Sequence, residues 1–578
     1  MAFDGIVTKM IASELQNLSG ARIDKIFQPN KNNVLIGCYL NKINYLINIC
    51  IDSSSYRIHL TTHSKPNPTV APNFCMVLRK HLLGLHIKNV VTNNLERVIV
   101  IEFEGFDELD DIVSKKLIIE LMGKHCNIIL LDDQNIIIDS MRHIYQENSV
   151  RNIVPHQKYA FPIIDKSNFL NCSNFSEFYK LLPDEITLEN LPLIISTVFN
   201  GFSKSFISGI LQDLEINNLN DENLEKLYDY IKDIVFENDT SNLDFKFIEL
   251  NNNKNDYYLS KTKKTKNVFH LNFCLDDFYF EKESILEFKI YRDSVLKMIL
   301  SVLNKYKKRL DNMNKKLSEC DDMQKYKLYG ELITANLYRI KNLPIPEIVL
   351  ENYYDNNNRI TIKLDNRYSP SINSKRFFKK YNKLKNTLEI VTSQKNETLR
   401  ELDYIESVVY ELESAISLDE VYSIFEEISE NVVFSEKIKS FSNNKKDKIR
   451  KSSLTKNKNV SFNPIKYTVE GYQFLVGRNN KENDYLTLKY ASKNDIWFHT
   501  KDIHGSHAIL KLDSNKDVPN SDVLVKCAEI AALHSKAKNS SNVPVDYCEV
   551  RYVKKPNGAK PGMVIYTHNH TLYVNPIK

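Results

Sequence analysis

The residues best suited to chemistry are concentrated near the C-terminus, in the segment 494–508. This segment holds the only Trp of the chain and three of its 14 His residues, at Trp497, His499, His504 and His507. Clustered imidazoles can bind zinc. Here no Cys or carboxylate completes a familiar spacing of zinc ligands, so the sequence predicts neither a metal site nor another cofactor.

The same segment does not have the pattern of a hydrolase. Gly505-Ser506-His507 has no second Gly, which a nucleophile elbow requires. The chain also contains neither a G-x-x-x-x-G-K-[ST] nor a G-x-G-x-x-G motif for holding nucleotide phosphates. We therefore predict no catalytic residues. Aromatic side chains beside Lys and His suit RNA instead, because rings stack on bases while cations neutralise phosphates. Core packing is the competing interpretation for Trp497 and Phe498.

The charge distribution favours the same class of partner. The 578 residues include 78 Lys and Arg against 73 Asp and Glu, a net charge of only +5. Residues 442–459 carry +6 and residues 460–578 carry +5, which leaves −6 on residues 1–441. A basic C-terminal quarter predicts contact with a polyanion such as nucleic acid. The polar, basic stretch 442–459 predicts a disordered linker, and a solvated tail without a target is its alternative.

The elements that must position these residues can be traced along the chain, whose length suggests about three to five domains. Residues 1–170 read as mixed α/β. Their β-branched runs predict strands at 34–36, 45–49, 98–103, 116–120, 127–131 and 135–138. Residues 171–265 have helical spacing. A turn at 200–211 there could present backbone N–H groups to a phosphate, and an ordinary helical pair is the alternative.

Residues 266–441 carry the clearest periodic signal. Two interleaved rows repeat every seven residues, Leu296, Leu303, Leu310, Leu317 and Ile299, Tyr306, Met313, Cys320. A second, less regular seam contains Leu384, Val391, Thr398, Ile405 and Leu412. Heptads predict coiled-coil helices. Two seams of similar length favour an internal antiparallel coiled coil, with arms at about 285–325 and 380–418 and an insert at 326–379. A homodimeric zipper is the alternative.

Cysteine usage and hydropathy indicate the compartment. Nine Cys are widely spaced without a C-x-x-C pair, which predicts reduced thiols rather than a disulfide framework. The first residues lack the pattern of a signal peptide. No apolar run approaches the ~18–20 residues that span a bilayer. We expect a cytoplasmic α+β multidomain protein without membrane contact.

Motifs along the whole chain resemble those of the NFACT family, in its bacterial branch. They are Phe3-Asp4-Gly5, RIDKIFQP at 22–29, FCMVLRKH at 74–81, ELMGKHCNI at 120–128, NSKRFFKKYNKLK at 373–385, GRNN at 477–480, DIWFHTKD at 495–502, Gly505-Ser506-His507, Val545-Asp546-Tyr547 and KKPNGAKPG at 554–562. The resemblance implies an NFACT-N domain at 1–170, a helix-hairpin-helix region at 171–265, the coiled coil at 266–441, the linker at 442–459 and an α/β NFACT-R domain at 460–578.

The resemblance also implies a role in ribosome-associated quality control. We expect the chain to bind a large ribosomal subunit obstructed by peptidyl-tRNA and to recruit alanyl-tRNA. The stalled nascent chain would then gain an untemplated alanine tail that marks it for degradation. A small S4-like RNA-binding protein is an expected partner. Peptide bond formation would belong to the ribosome, and the chain itself would be an adaptor rather than an enzyme.

The family's tRNA-binding residues can be carried over by position. An Asp-Arg pair of the family corresponds to Glu96-Arg97, in which the acidic side chain is one methylene longer than the Asp of the family. The neighbouring tRNA-facing loop of the family corresponds to Glu120, Leu121, Met122, Gly123 and Lys124. An ion pair of Arg97 with Glu96 or Glu102 is the competing interpretation. In NFACT-R the expected RNA-binding residues are Arg478, Asp495, Trp497, Phe498, His499, Lys501, Gly505, Ser506 and His507. His504 stands where the family has Pro.

Two other functions compete with this interpretation. An older family name, fibronectin-binding protein A, suggests a surface adhesin, against which the missing signal peptide and wall anchor argue. NFACT-N also resembles the N-terminal domain of formamidopyrimidine-DNA glycosylase, which uses an N-terminal Pro as nucleophile. This chain begins Met1-Ala2-Phe3, so that nucleophile is absent.

Overall fold

The structure is a computed structural model that divides into two compact units, Met1–Ser284 and Ile285–Lys578. It describes residues 3–106, 111–145, 151–163, 165–237, 239–250, 254–261, 269–341, 343–442, 462–512 and 519–577. Apart from Ser442, the predicted linker at 442–459 lies outside the described residues. All nine Cys are free thiols. In the described part of the chain, no helix is both long enough and apolar enough to span a membrane.

The first unit is built on a nine-stranded antiparallel sheet with the order β4-β3-β2-β1-β5-β6-β7-β8-β9. Its strands are β1 (Arg22–Asn30), β2 (Asn33–Leu40), β3 (Ile43–Cys50), β4 (Arg57–Leu60), β5 (His86–Thr92), β6 (Val98–Phe106), β7 (Ile112–Glu120), β8 (Asn127–Leu131) and β9 (Ile137–Ser140). Five of the six β-branched runs of the sequence fall on strands, and the sixth, 135–138, begins two residues before β9. They read as continuous apolar runs because both faces of the sheet are covered: Ile99 and Ile101 lie in one core cluster, Val98 and Val100 in another.

Helices cover the main face of this sheet. They are α1 (Gly5–Gln16), α2 (Asn73–Leu82), α3 (Phe175–Tyr179), α4 (Leu191–Val198), α5 (Lys204–Asp213) and α6 (Asp221–Val235), followed by the hairpin of β10 (Leu243–Leu250) and β11 (Lys254–Lys261). Asp4 caps α1 by accepting a hydrogen bond from the N–H of Val7. The α4–α5 turn packs beside this cap, because the Ser203 N–H donates to the other oxygen of Asp4 and Gly201 is buried. The two helices α4 and α5 are therefore an ordinary packed pair, and the turn between them is not open to a phosphate.

Two long helices form the coiled coil, α7 (His270–Ser318) and α9 (Pro370–Ser414). Thr398 Oγ1 lies 3.8 Å from Met313 Sδ, and Lys307 forms an ion pair with Glu406. Position numbers thus rise on one helix as they fall on the other, which confirms the antiparallel pairing. Both helices begin before the predicted arms.

The early start of α7 has a local cause in the first unit. Leu271, Leu275 and Tyr279 are buried on the main core, so this part of the helix follows the sheet rather than the heptads. The carboxylate of Glu14 accepts hydrogen bonds from the Leu271 and Asn272 N–H groups, which satisfies orphan donors at the helix start.

The insert between the arms is a small α/β unit. It contains α8 (Met323–Asn336) and a hairpin of β12 (Glu347–Asn352) and β13 (Asn358–Lys363). Leu332, Ile333 and Ile362 form its buried core. After α9 follow α10 (Leu418–Ser429) and α11 (Ser435–Ser442).

The C-terminal part is a six-stranded antiparallel sheet with the order β14-β15-β17-β16-β18-β21. Its strands are β14 (Ile465–Val469), β15 (Tyr472–Val476), β16 (Ile496–Thr500), β17 (Ala508–Leu510), β18 (Val543–Glu549) and β21 (His570–Val574). The elements outside this sheet are α12 (Asn480–Tyr485), a π-helical turn (Leu486–Tyr490), α13 (Ser521–Leu533), β19 (Val553–Lys554) and β20 (Ile565–Tyr566). Phe498 packs with α13 on one face, whereas Trp497 packs with Leu486 and Val553 on the other. The fold as a whole is the mixed helix-and-sheet architecture that the sequence predicts.

Candidate nucleic-acid interface

In the first unit, the predicted tRNA-binding pair lies in a tight turn just before β6. The turn is held by two glycines that approach its backbone closely: a Cβ on Gly5 would lie 1.9 Å from the Leu95 oxygen, and one on Gly201 would lie 2.6 Å from the Leu95 Cβ. The Gly5 N–H donates to the Gly201 carbonyl at 2.9 Å. Only glycine fits at these contacts. The fold thus fixes Leu95, and with it Glu96 and Arg97.

The structure brings the two predicted tRNA-binding segments together. Val98 pairs with Glu120 across β6 and β7, and the Leu121 N–H donates to the Arg97 carbonyl at 2.9 Å. The two segments are 23 positions apart along the chain but are neighbours where β6 begins and β7 ends. They therefore form a single candidate surface.

Arg97 is positioned by an aromatic residue and not by an acid. Its Nη1 donates to the Tyr56 hydroxyl at 2.9 Å, and its guanidinium carbon lies 5.8 Å from the centre of that ring. Among the described residues Arg97 has no ion pair, and Glu102 instead pairs with Lys116 at 3.7 Å. The ion-pair interpretation is therefore wrong for this structure. The remaining N–H groups of the half-buried guanidinium can serve a ligand.

Glu96 has an unusual environment for a residue beside an Arg. Burial raises the pKa of its carboxyl, although a hydrogen bond from the Asn93 side chain opposes the shift. Its Oε2 is buried and has no hydrogen-bond partner within the described ranges. The carboxyl is thus a poorly solvated group beside Arg97.

The loop after β7 divides into an inner and an outer part. The Glu120 carboxylate is buried and accepts hydrogen bonds from Arg151 and from the Tyr159 hydroxyl, and Leu121 lies in the core. These two residues hold the loop. Met122 and Gly123 are half-buried, Gly123 has a φ of +62°, and the Lys124 side chain is exposed. Only the outer part can contact a ligand.

Sequence reasoning missed three basic residues at this surface. Arg142 donates to the carbonyls of Cys126 and Ile51 and braces the loop from below. His125 is exposed beside Lys124. The pKa of Lys166 is lowered by burial and by the nearby positive charge of Arg97. Arg142 and Lys166 have no spacing signal, because they reach the surface from other parts of the chain, whereas His125 directly follows the predicted loop.

In the second unit, most of the predicted RNA-binding residues are internal. Trp497, Phe498 and Asp495 are 0% exposed. Asp495 accepts hydrogen bonds from two backbone N–H groups and from Lys511. Neither ring has a free face for a base, so core packing describes both Trp497 and Phe498.

The remaining residues of this set also serve the fold, with one exception. Arg478 Nη1 donates to Glu420 on α10 at 3.1 Å. The Ser506 N–H donates to the His534 carbonyl, and a Cβ on Gly505 would lie 2.8 Å from the Thr500 hydroxyl. Of the nine predicted residues, only Lys501 has a largely exposed side chain.

The histidines of this region form an aromatic cluster with Trp497. The His499 ring stacks on Trp497 at 5.6 Å between centroids, and His507 meets both rings edge-on at 5.4 and 5.6 Å. Burial lowers the pKa of His499 to about 4 and that of His507 to about 3, so both are neutral near pH 7. Within the described ranges, no group of three His, Cys, Asp or Glu side chains is arranged to hold a metal ion.

Two buried acids lie where α9, α10 and α12 meet. Glu427 accepts hydrogen bonds from Tyr404 at 2.8 Å and from Asn480 at 3.4 Å, and Glu411 accepts one from the Asn480 backbone. Burial raises the pKa of both carboxyls, and their proximity raises that of Glu411 further. One oxygen of each has no hydrogen-bond partner within the described ranges.

This pair predicts a pH-dependent stability. Because the folded pKa of Glu411 lies above the unfolded value of 4.5, the folded state binds more protons, and stability falls as pH rises above about 4.5. Glu411→Gln keeps the oxygen that accepts from Asn480 and removes the charge. We expect its melting temperature at about pH 8 to exceed that of the wild type by a few degrees.

The exposed Glu413→Gln on the same helix is the matched control and should change little. The gain of Glu411→Gln should shrink towards about pH 4.5, where the wild-type carboxyl is already neutral. Equal melting curves for wild type and Glu411→Gln at about pH 8 would contradict the assignment.

Comparison with known sequences identifies the class of protein. The model of the NFACT N-terminal and middle domains matches residues 4–448, and the model of the NFACT protein RNA binding domain matches residues 458–567. The chain belongs to the NFACT family.

Curated relatives match over the whole chain. The Rqc2 homolog RqcH of Bacillus subtilis is 33% identical over 100% of this chain and 98% of its own length. The protein of the same name from Streptococcus suis is 32% identical over 100% and 98%, respectively. A crystal structure of the fibrinogen binding protein from Staphylococcus aureus is 27% identical, covers 48% of this chain and 99% of its own, and gives a TM-score of 0.41.

Proposed function

We propose that this chain is a ribosome-associated quality control factor that acts in the cytoplasm. It binds large ribosomal subunits obstructed by peptidyl-tRNA and recruits alanyl-tRNA to them. The proposal is supported by full-length similarity to proteins named Rqc2 homolog RqcH and by the two NFACT domains. The observation that carries it is the adjacency of the Arg97 turn and the Gly123 loop, since the family's two tRNA-binding segments form one surface here.

The chemistry of that surface suits a tRNA backbone and an exposed base. A guanidinium presents a planar fork that can donate two parallel hydrogen bonds to a phosphate or to a guanine edge. One N–H of Arg97 donates to the Tyr56 hydroxyl, and this hydrogen bond fixes the orientation of the guanidinium. Gly123 allows close approach of the loop backbone, and Lys124 adds a positive charge at its tip.

In this proposal the protein positions tRNA and the ribosome forms the peptide bonds. The nascent chain then acquires an untemplated C-terminal alanine tail. A small S4-like RNA-binding protein assists in keeping the complex on the subunit. The basic surface of the NFACT-R domain contributes contacts to ribosomal RNA.

Alanine tailing can be tested by intact mass spectrometry of a stalled reporter chain. The comparison is between cells with the gene, cells without it, and cells complemented with it. We expect a ladder of masses spaced by one alanine residue only where the protein is present. A ladder with another residue, or the same ladder without the protein, would contradict the proposal.

Binding to the large subunit should weaken steeply with salt, because phosphate contacts release counterions. Lys501 and Lys554 are exposed in the NFACT-R domain. If both contact phosphates, the double substitution to Ala should reduce the slope of log K against log salt by about 2. The control pair Lys88→Ala and Lys226→Ala removes two exposed charges from the first unit. An unchanged slope in the NFACT-R variant would remove these lysines from the interface.

A further inference from the structure

The second unit contains a cavity of about 920 Å³ that the function above does not use. One wall is the C-terminal half of α9, and the other is the Trp497 face of the C-terminal sheet, closed by the loop 556–562. The loop is held in place because the Gly562 N–H donates to Asp484 and Lys560 contacts Glu401 and Asn431. The wall of the cavity that this loop forms is therefore held by specific contacts within the unit.

The sheet side of the cavity is aromatic. Trp497 forms a fully buried floor, the His499 ring stacks on it with an interplanar angle of 11°, and Tyr566 lies 4.7 Å from the indole. His499 and Tyr566 are half-buried, so parts of their rings face the opening. A flat ligand could extend the stack that Trp497 and His499 begin.

The lining residues also carry unused hydrogen-bonding atoms. Trp497 Nε1 is a donor, and Glu411 Oε2 belongs to a carboxyl that is 6% exposed; neither has a hydrogen-bond partner in the part of the chain that the structure describes. Buried polar atoms without partners are rare in folded proteins. Both atoms are covered by the protein in this conformation, so they become partners for a ligand only if the side chains around them shift when it binds.

The charges of the cavity exclude a phosphate from its interior. Five acidic side chains line it, Glu397, Glu401, Asp403, Glu411 and Asp502, against two cations, Arg400 and Lys560. Lys560 is engaged with Glu401 at 3.4 Å. Exposed lysines lie beside the cavity instead: Lys501 precedes Asp502, and the Lys536 N–H donates to the carbonyl of the lining residue His504.

We propose that this cavity binds one unstacked nucleobase of RNA, stacked on His499, while the flanking phosphates remain outside on the lysines. A base supplies a flat ring together with donors and acceptors on its edge, and the RNA chain supplies the phosphates. The proposal rests on the proposed function, in which the chain binds ribosomal RNA. In this proposal the buried Trp497 lies beneath His499 and supports the stacked rings.

The test uses the fact that Trp497 is the only Trp of the chain. Selective excitation of tryptophan in the full-length protein therefore reports on this cavity alone. The probes are GMP, AMP, CMP, UMP, inorganic phosphate and N-acetylarginine amide. We expect saturable quenching by the nucleotides, stronger for the larger purines, and none by phosphate.

Two variants separate binding from folding. His499→Ala should weaken nucleotide binding about tenfold, since it removes a stacking partner. Ala559→Phe adds a ring to the loop at the cavity and should block it without removing any contact. His568→Ala, an exposed His outside the cavity, is the matched control. Melting curves identify any variant that loses its fold.

Cosedimentation of the wild type with large subunits is measured in parallel. Subunit binding without nucleotide quenching would overturn the nucleobase proposal and leave the proposed function standing. Quenching by the arginine derivative alone would also overturn it, in favour of a cationic peptide ligand. If the wild type does not bind subunits at all, the proposed function fails whatever the quenching result.

Discussion

Arg97→Ala is expected to abolish most tRNA recovery while leaving binding to the large subunit nearly intact. The substitution removes a planar cation whose remaining N–H groups face no protein acceptor in the described residues, so its main loss is to a ligand. Hydrogen bonds to charged groups contribute about 1.5–3 kcal/mol, which corresponds to roughly a 10- to 150-fold weaker interaction. The measurement is the amount of tRNA per subunit in purified complexes.

Arg22→Ala is the matched control for this experiment. It removes an exposed Arg of the same unit that pairs with Asp24 at 2.9 Å. Arg97→Lys is a second variant, which keeps the positive charge but loses the planar guanidinium. We expect its tRNA recovery to lie between that of the wild type and that of Arg97→Ala. Wild-type tRNA recovery from Arg97→Ala would remove this residue from the interface.

Gly201→Ala is expected to destabilise the first unit strongly. The added Cβ would lie 2.6 Å from both the Cβ and the carbonyl oxygen of Leu95, and the φ of +87° is strained for any L side chain. Overpacking and backbone strain each cost about 1–3 kcal/mol, which predicts a loss of roughly 2–5 kcal/mol in the free energy of unfolding. This loss is measured by chemical denaturation of the full chain, in which unfolding is monitored through a probe in the first unit.

Gly84→Ala separates strain from steric clash. Gly84 has nearly the same φ, +85°, but open space around its Cβ position. Its substitution should therefore cost only the strain, about 1–2 kcal/mol. Equal losses for the two variants would show that contact with Leu95 is unimportant. Because Leu95 precedes Glu96 and Arg97, Gly201→Ala should also lower tRNA recovery, whereas Gly84→Ala should not.

Much of the fold follows from periodicity in the sequence. The heptads of α7 and α9 predict the antiparallel coil, because apolar stripes must be buried against each other. They do not predict that α7 begins at His270, since its first turns pack on the sheet through Leu271 and Leu275. Long-range packing thus extends the helix beyond its own periodic signal.

The residues of the proposed tRNA-binding surface were predicted one by one, but their arrangement was not. Glu96, Arg97 and the loop 120–124 follow from resemblance to the family. Their adjacency depends on the pairing of Val98 with Glu120, which is a long-range register that local pattern does not determine. For the same reason Tyr56, which orients Arg97, could not be predicted.

The C-terminal residues show a different limit. Alternation along β16 puts Trp497 and Phe498 on opposite faces, and an ordinary antiparallel sheet would expose one of them. Here α13 covers one face, while the π-helical turn and β19 cover the other, so both rings are buried. The prediction of direct base stacking by Trp497 or Phe498 fails for this reason, and His499 and Tyr566 are left as the accessible rings.

The central claim, recruitment of tRNA to an obstructed large subunit, is tested most directly by pulldown of the tagged full-length protein followed by sequencing of the bound RNA. We predict recovery of large-subunit ribosomal RNA together with tRNA enriched in the alanine isoacceptors, and selective loss of that tRNA with Arg97→Ala. Bound RNA without large-subunit ribosomal RNA and without alanine tRNA enrichment would contradict the account.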